Sequence, residues 1–157
     1  MNFQKKNKTY LTPEGFRKLK EEYETLVSEK YPAVAKRIQS ARDMGILDDN
    51  PEYEAALNEQ AFIKGRISEL ENLLKTAVIV EKPQDFSVVK IGSTVVVQVN
   101  DEVDEFTIVG KTEADPAKNR ISNESPVGKA LLGKKVGDEV VVETEVFSTT
   151  YKIIEIK

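Results

Sequence analysis

Apolar side chains recur at steps of three and four residues from Phe16 through Leu19, Tyr23, Val27, Tyr31, Val34 and Ile38 to Ala41. A second run at the same spacing takes in Tyr53, Leu57, Gln60, Ile63, Ile67, Leu70 and Leu74, with Gln60 as its one polar member. That spacing returns to one face of an α-helix and to no single face of a strand. Thr12-Pro13-Glu14 opens the first run: threonine can cap, proline fits the first helical position, and glutamate favours the positive end of the helix dipole. Between the runs, Met44-Gly45-Ile46-Leu47-Asp48-Asp49-Asn50-Pro51 combines a glycine stop, an Asx cluster and a proline restart. Two long helices joined by so short a turn are expected to lie antiparallel, as a coiled-coil hairpin burying one narrow stripe each. The first would reach roughly 45 Å at the usual rise per residue. Pro32 falls inside its run and removes a backbone donor, which costs up to about 3 kcal/mol in a helix interior, so a kink or restart is expected there.

The pattern changes near Glu81-Lys82-Pro83-Gln84-Asp85, which suggests a division into residues 1–80 and 81–157. The first part carries 13 basic and 13 acidic side chains; the second carries 10 and 14, so the net charge of −4 belongs to it. Its strand candidates are Val88–Lys90, Ser93–Val99, Glu105–Val109, Arg120–Ser122, Glu139–Glu143 and Tyr151–Ile156, rich in Val, Ile and Thr and bounded by turn formers. A short helix starts at Ser125-Pro126, presents Val127, Ala130 and Leu131, and stops at Gly133. The whole reads as an α+β chain: a long helical hairpin, then a small antiparallel sheet packed on one helix.

The chain has no Cys and no His. Disulfides, thiol chemistry, zinc ligation and histidine proton relays are thereby excluded, leaving carboxylates, amines and guanidinium groups. No stretch approaches the roughly 20 apolar residues of a membrane span. Met1 to Lys8 is polar and basic, unlike a secretory signal, and a cytoplasmic location with no membrane partner is expected.

The turn gathers the candidate chemistry. Asp48 and Asp49 are adjacent, Asp43 precedes them and Glu52 follows. Mg²⁺ binds through one or two carboxylates with waters and phosphate oxygens, which such a tip offers, although alone it is no metal cage. The competing reading is a plain turn and helix cap, since Asx residues favour both. Arg37, Arg42, Lys64 and Arg66 lie at or beyond the margin of the stripes. They suit either nucleic-acid phosphates or ion pairs on a solvated face.

Four segments carry a resemblance: Tyr10-Leu11-Thr12-Pro13-Glu14-Gly15-Phe16, Asn50-Pro51-Glu52-Tyr53-Glu54-Ala55-Ala56, Gln60-Ala61-Phe62-Ile63-Lys64-Gly65-Arg66-Ile67 and Ser125-Pro126-Val127-Gly128-Lys129-Ala130-Leu131-Leu132-Gly133-Lys134. In order and over nearly the whole chain, they resemble the Gre transcript-cleavage factors (GreA/GreB) of bacterial RNA polymerase. The resemblance implies an FKBP-like C-terminal domain that docks outside the polymerase secondary channel through Ser125, Pro126, Val127 and Leu131. It also implies a coiled coil that enters the channel. There Asp48 and Asp49 would assist catalysis by helping to hold a Mg²⁺ shared with the polymerase active site, and a backtracked RNA 3′ end would be cleaved. Arg37, Arg42 and Lys64 would contact RNA or polymerase. The implied protein is a monomeric accessory factor with no cofactor of its own, the catalytic site being the polymerase's.

The tip departs from the family pattern Gly-Asp-Leu-Ser-Glu-Asn, reading Gly45-Ile46-Leu47-Asp48-Asp49-Asn50. Ile46 replaces the first acid, Asp49 is one methylene shorter than the second, Asp48 replaces serine, and Leu57 stands where a basic residue is usual. A channel-binding regulator without cleavage activity is therefore an open alternative. More distant ones are an FKBP-like isomerase and a dimeric coiled-coil scaffold.

Overall fold

The computed structural model describes residues 7–45 and 49–157. The chain divides into two compact units: Phe16–Thr76, and the residues up to Gly15 together with Ala77–Lys157. The second unit thus draws on both sides of the hairpin. The reason is a strand pair that periodicity does not reveal: β1 (Thr9–Leu11) lies parallel to β2 (Ala77–Ile79), with Tyr10 opposite Val78. Three-residue strands are too short to show an alternation.

The hairpin unit is built from α1 (Pro13–Thr25, which begins in the other unit), α2 (Tyr31–Asp43) and α3 (Pro51–Lys75). Leu26–Lys30 between the first two form a π turn, in which the Tyr31 N–H donates to the Leu26 carbonyl five residues back. Pro32 supplies the reason. It has no N–H for the Ser28 carbonyl, and in a regular helix its ring would press on that carbonyl. The wider turn ahead of it removes the conflict without ending the helical path. It also moves the stripe. Val27, expected inward, is 42% exposed, and Leu26 packs on the core instead. The inward series therefore runs Leu26, Tyr31, Val34, with a five-residue step across the π turn. Val34, Ile38, Ala56 and Ile63 form the buried seam between α2 and α3, flanked by Leu26, Tyr31, Tyr53, Leu57 and Ile67. Burying each of the larger side chains contributes about 2 kcal/mol. Pairs such as Arg37–Glu59 and Arg66–Glu22 join early residues to late ones, so the arms run antiparallel.

The sheet of the second unit is ordered β5-β4-β3-β7-β6. Its strands are β3 (Thr94–Val99), β4 (Glu102–Val109), β5 (Arg120–Ser122), β6 (Glu139–Glu143) and β7 (Ser148–Ile156). Asn100 and Asp101, both at positive φ, turn β3 tightly into β4, as two-residue hairpins require. Pairing is antiparallel except between β4 and β5, which run parallel, so the expected all-antiparallel sheet is corrected at that edge. Val88–Lys90 is not a strand. Val89 exchanges single backbone bonds with Gly133 and Lys134 and is buried, but no ladder forms. α4 (Pro126–Leu131) closes the core: Leu131 belongs to one buried cluster with Val89, Val95, Val97, Ile108, Val140, Ile153 and Ile156. Ile153 and Ile156 are three apart, which strict alternation would send to opposite faces. A register shift opposite Val96/Val97 lets both point inward.

Candidate functional site

The end of the hairpin is shaped by backbone conformations that only a few residue types adopt cheaply. α2 closes with the Met44 N–H on the Ser40 carbonyl and the Gly45 N–H on the Arg42 carbonyl, and Gly45 has φ 77°. Glycine reaches that region without penalty. On the far side Asp49 has φ 58°, a conformation enriched in Asp and Asn among residues with side chains. Asn50 then returns to extended backbone and caps α3. Its Oδ1 accepts from the N–H groups of Glu52 (3.1 Å) and Tyr53 (3.4 Å), while Pro51 takes the first helical position. The turn-and-cap reading and the reactive-tip reading therefore apply to different residues: Asn50 is the cap, and Asp49 is exposed with no side-chain hydrogen bond or ion pair among the described residues. Asp48, and Ile46 with it, lie outside the described residues.

The basic candidates separate by what they touch. Arg37 is paired with Glu59 across the hairpin. Lys64 stands 5.9 Å from the Tyr31 ring centroid, a cation–π distance. Arg66 forks onto Glu22 and also meets Glu69; hydrogen bonds first with Glu22 and then with Glu69 raise its already high pKa. Arg42, in the last turn of α2, is exposed and has no ion pair among the described residues. Beside it a groove of about 490 Å³ runs along the hairpin, lined by Lys36, Arg37, Ser40, Met44, Asn50 and Glu52 among others. The sequence carries no signal for Lys36 beyond its place next to Arg37; its position on the groove depends on the facing helix.

No group of three or more Asp or Glu that could hold a metal occurs among the described residues. Of the turn's described carboxylates, Asp43 accepts from Gln39 Nε2 and Glu52 lies in the first turn of α3, so the donor set fits at most a share, through Asp49, in a hydrated Mg²⁺ whose other ligands come from elsewhere.

The four docking candidates lie on α4. The Ser125 Oγ donates to the Ser122 carbonyl (2.7 Å) and accepts from the Gly128 N–H (3.1 Å), so it caps this helix. Pro126 is exposed, Val127 is half-buried against the core, and Leu131 is fully buried within it. Of the four, Pro126 offers the most surface; Leu131 holds the helix in place.

No described helix is long and apolar enough to cross a membrane.

Fold and site together define a protein with a two-helix arm tipped by an exposed aspartate and a separate sheet unit. Comparison with known sequences makes this specific. Residues 9–79 match the model for the N-terminal domain of transcription elongation factors, and residues 83–157 that for the GreA/GreB C-terminal domain. The chain belongs to the GreA/GreB family of transcription elongation factors. It is 47% identical over 149 residues to transcription elongation factor GreA of Thermomicrobium roseum, covering 94% of this chain and 96% of that protein. It is 54% identical over 151 residues to the GreA of Thermoanaerobacter pseudethanolicus, with the same coverage. Among solved structures, GreA factor homolog 1 of Thermus thermophilus is 30% identical and covers 96% of this chain and 99% of that one, at a TM-score of 0.46.

Proposed function

We propose that this protein is a transcription elongation factor that binds bacterial RNA polymerase through the secondary channel and stimulates the polymerase to cleave backtracked RNA. It is an accessory rather than an enzyme. The observation that carries the reading is Asp49: an exposed carboxylate, without a hydrogen-bond or ion-pair partner among the described residues, at the end of a two-helix arm. When bound, a Mg²⁺ shared with the polymerase would supply charge stabilisation and an activated water for phosphoryl chemistry. Asp49 and Asp48 are the residues that would help to hold it. Arg42 and Lys36, at the base of the tip, neutralise RNA phosphates, while Arg37 and Lys64 are already engaged by Glu59 and Tyr31. The sheet unit docks through the exposed part of α4, with Pro126 foremost. The factor works as a cytoplasmic monomer.

The test is RNA cleavage in purified backtracked complexes. Wild-type protein should shorten the transcript, and Asp49→Ala should reduce the rate by roughly 10- to 100-fold while still competing for the channel. Ile46→Asp should raise the rate by restoring the acid that the family places there. A second reading, a channel-binding regulator without cleavage activity, is favoured by Ile46 itself. Channel competition at saturating dose with no shortened RNA would establish it instead.

A further inference from the structure

We propose that Glu113 is a positioning residue: from 101 residues away it supplies a carboxylate that α1 lacks, and so holds the first residues of that helix on the sheet unit. The inference deepens the cleavage reading above and rests on it for its activity arm.

Thr12 caps α1 through its Oγ1, which accepts from the Gly15 N–H at 3.0 Å. The residue three places after such a cap is commonly Glu or Gln, whose side chain reaches back to the cap's own N–H. Here it is Gly15, which has no side chain to send. Glu113, at the end of the short 3-10 turn Lys111–Glu113, takes that part instead. Its Oε2 accepts from the Thr12 N–H at 2.7 Å, and its Oε1 accepts from the Thr12 hydroxyl at 2.6 Å and from Arg120 at 3.3 Å. The Glu113 side chain is only 11% exposed, so water competes little for these bonds. A Cβ built on Gly15 falls on the Glu113 carboxylate. The carboxylate of Glu113 thus stands in the space that a side chain at position 15 would take. On the other side of Thr12, the Tyr10 carbonyl leaves no room for a Cβ on Gly110. Two glycines, one on each of the facing segments, let Tyr10 to Gly15 lie against the turn that carries Glu113. A local glutamate would complete the helix start and no more. One supplied by the sheet unit also ties the start down, and α1 runs on from there into the hairpin unit that ends in Asp49. Slack at Thr12 would be passed to everything that the arm carries.

Two arms test the proposal on the full-length chain. The first needs no activity and follows the urea midpoint through a double-mutant cycle of Gly15→Ala and Glu113→Ala. In the wild-type background Gly15→Ala should lower the midpoint, because the carboxylate makes room only by letting go of Thr12. In the Glu113→Ala background the same substitution should raise it, because only the better helix propensity of alanine is left. A shift of the same sign in both backgrounds would refute the shared space. The second arm measures RNA cleavage in backtracked complexes. Glu113→Ala should lower the rate at saturating factor about tenfold, with the concentration for half-maximal effect unchanged. Gly15→Glu combined with Glu113→Ala restores a local cap without the tie. It should bring back the exchange protection of the Thr12 amide but not the cleavage rate. Full rate in Glu113→Ala, or recovery of the rate by the local cap, would overturn the positioning role. Should wild-type protein fail to stimulate cleavage, the functional reading falls, and the stability cycle alone decides whether Glu113 completes the start of α1.

Discussion

Gly128 lies where the first turn of α4 crosses the end of β5, and a Cβ built there falls well inside van der Waals contact with the Ser122 carbonyl oxygen. Backbone cannot swing aside as a side-chain tip can, and the same carbonyl already accepts from Ser125 Oγ. Gly128→Ala should therefore destabilise the protein by about 3 kcal/mol. Urea titration would register it as a lower midpoint at unchanged slope. Gly65 gives the opposite expectation. It sits within α3 with no atom within 4 Å of its added Cβ, so Gly65→Ala should stabilise by about 1 kcal/mol through helix propensity alone. Both glycines belong to segments that carry the family resemblance, yet sequence does not distinguish the packed one from the free one. The same limit applies at the tip. Asx chemistry is visible in Asp49-Asn50, but which of the two caps and which stays free is decided by backbone dihedrals.

Among the elements, α3 and β6 follow from periodicity and composition almost residue for residue, because each has several positions on one face to set its phase. The elements that escape are those whose evidence is not local. β1 and β2 are each three residues long and exist through one another. Val88–Lys90 has strand-like composition, but its neighbours leave it no partner strand. The π turn is intermediate: Pro32 announces a disturbance, while the five-residue step that absorbs it appears only when Leu26 replaces Val27 in the seam. If Pro32 causes that turn, Pro32→Ala should let the i→i−4 ladder close through Ser28. Removing the constraint is expected to raise the thermal midpoint by about 3 °C and to add backbone amide protection at residue 32. An unchanged π turn in Pro32→Ala, seen as persistent Tyr31-to-Leu26 hydrogen bonding by NMR, would assign the turn to the Leu26 and Tyr31 packing instead.

For the molecule as a whole, the decisive question is whether its apolar stripes are satisfied within one chain. A helical hairpin and a dimeric coiled-coil scaffold can share the same three-four periodicity, and they differ only in where the partner stripe comes from. Here Val34 is 1%, Ile38 5%, Ala56 1% and Ile63 4% exposed within a single chain, so the seam that a dimer would need is already filled. Among the described residues, what remains outward on the hairpin, such as Val27, Met44 and Phe62, is scattered rather than arranged as a second stripe. Isolated exposed apolar residues of this kind do not drive association. The protein should therefore sediment as a monomer of 17.6 kDa, with no rise in apparent mass as concentration increases. A concentration-dependent dimer would mean that a surface other than this seam associates. In that case Phe62→Ser, which leaves the seam untouched, should return the protein to a monomer if the α3 surface is responsible. A monomeric state would matter for the proposed function, because a two-helix arm can enter a channel of protein dimensions only if a second copy does not sheathe it.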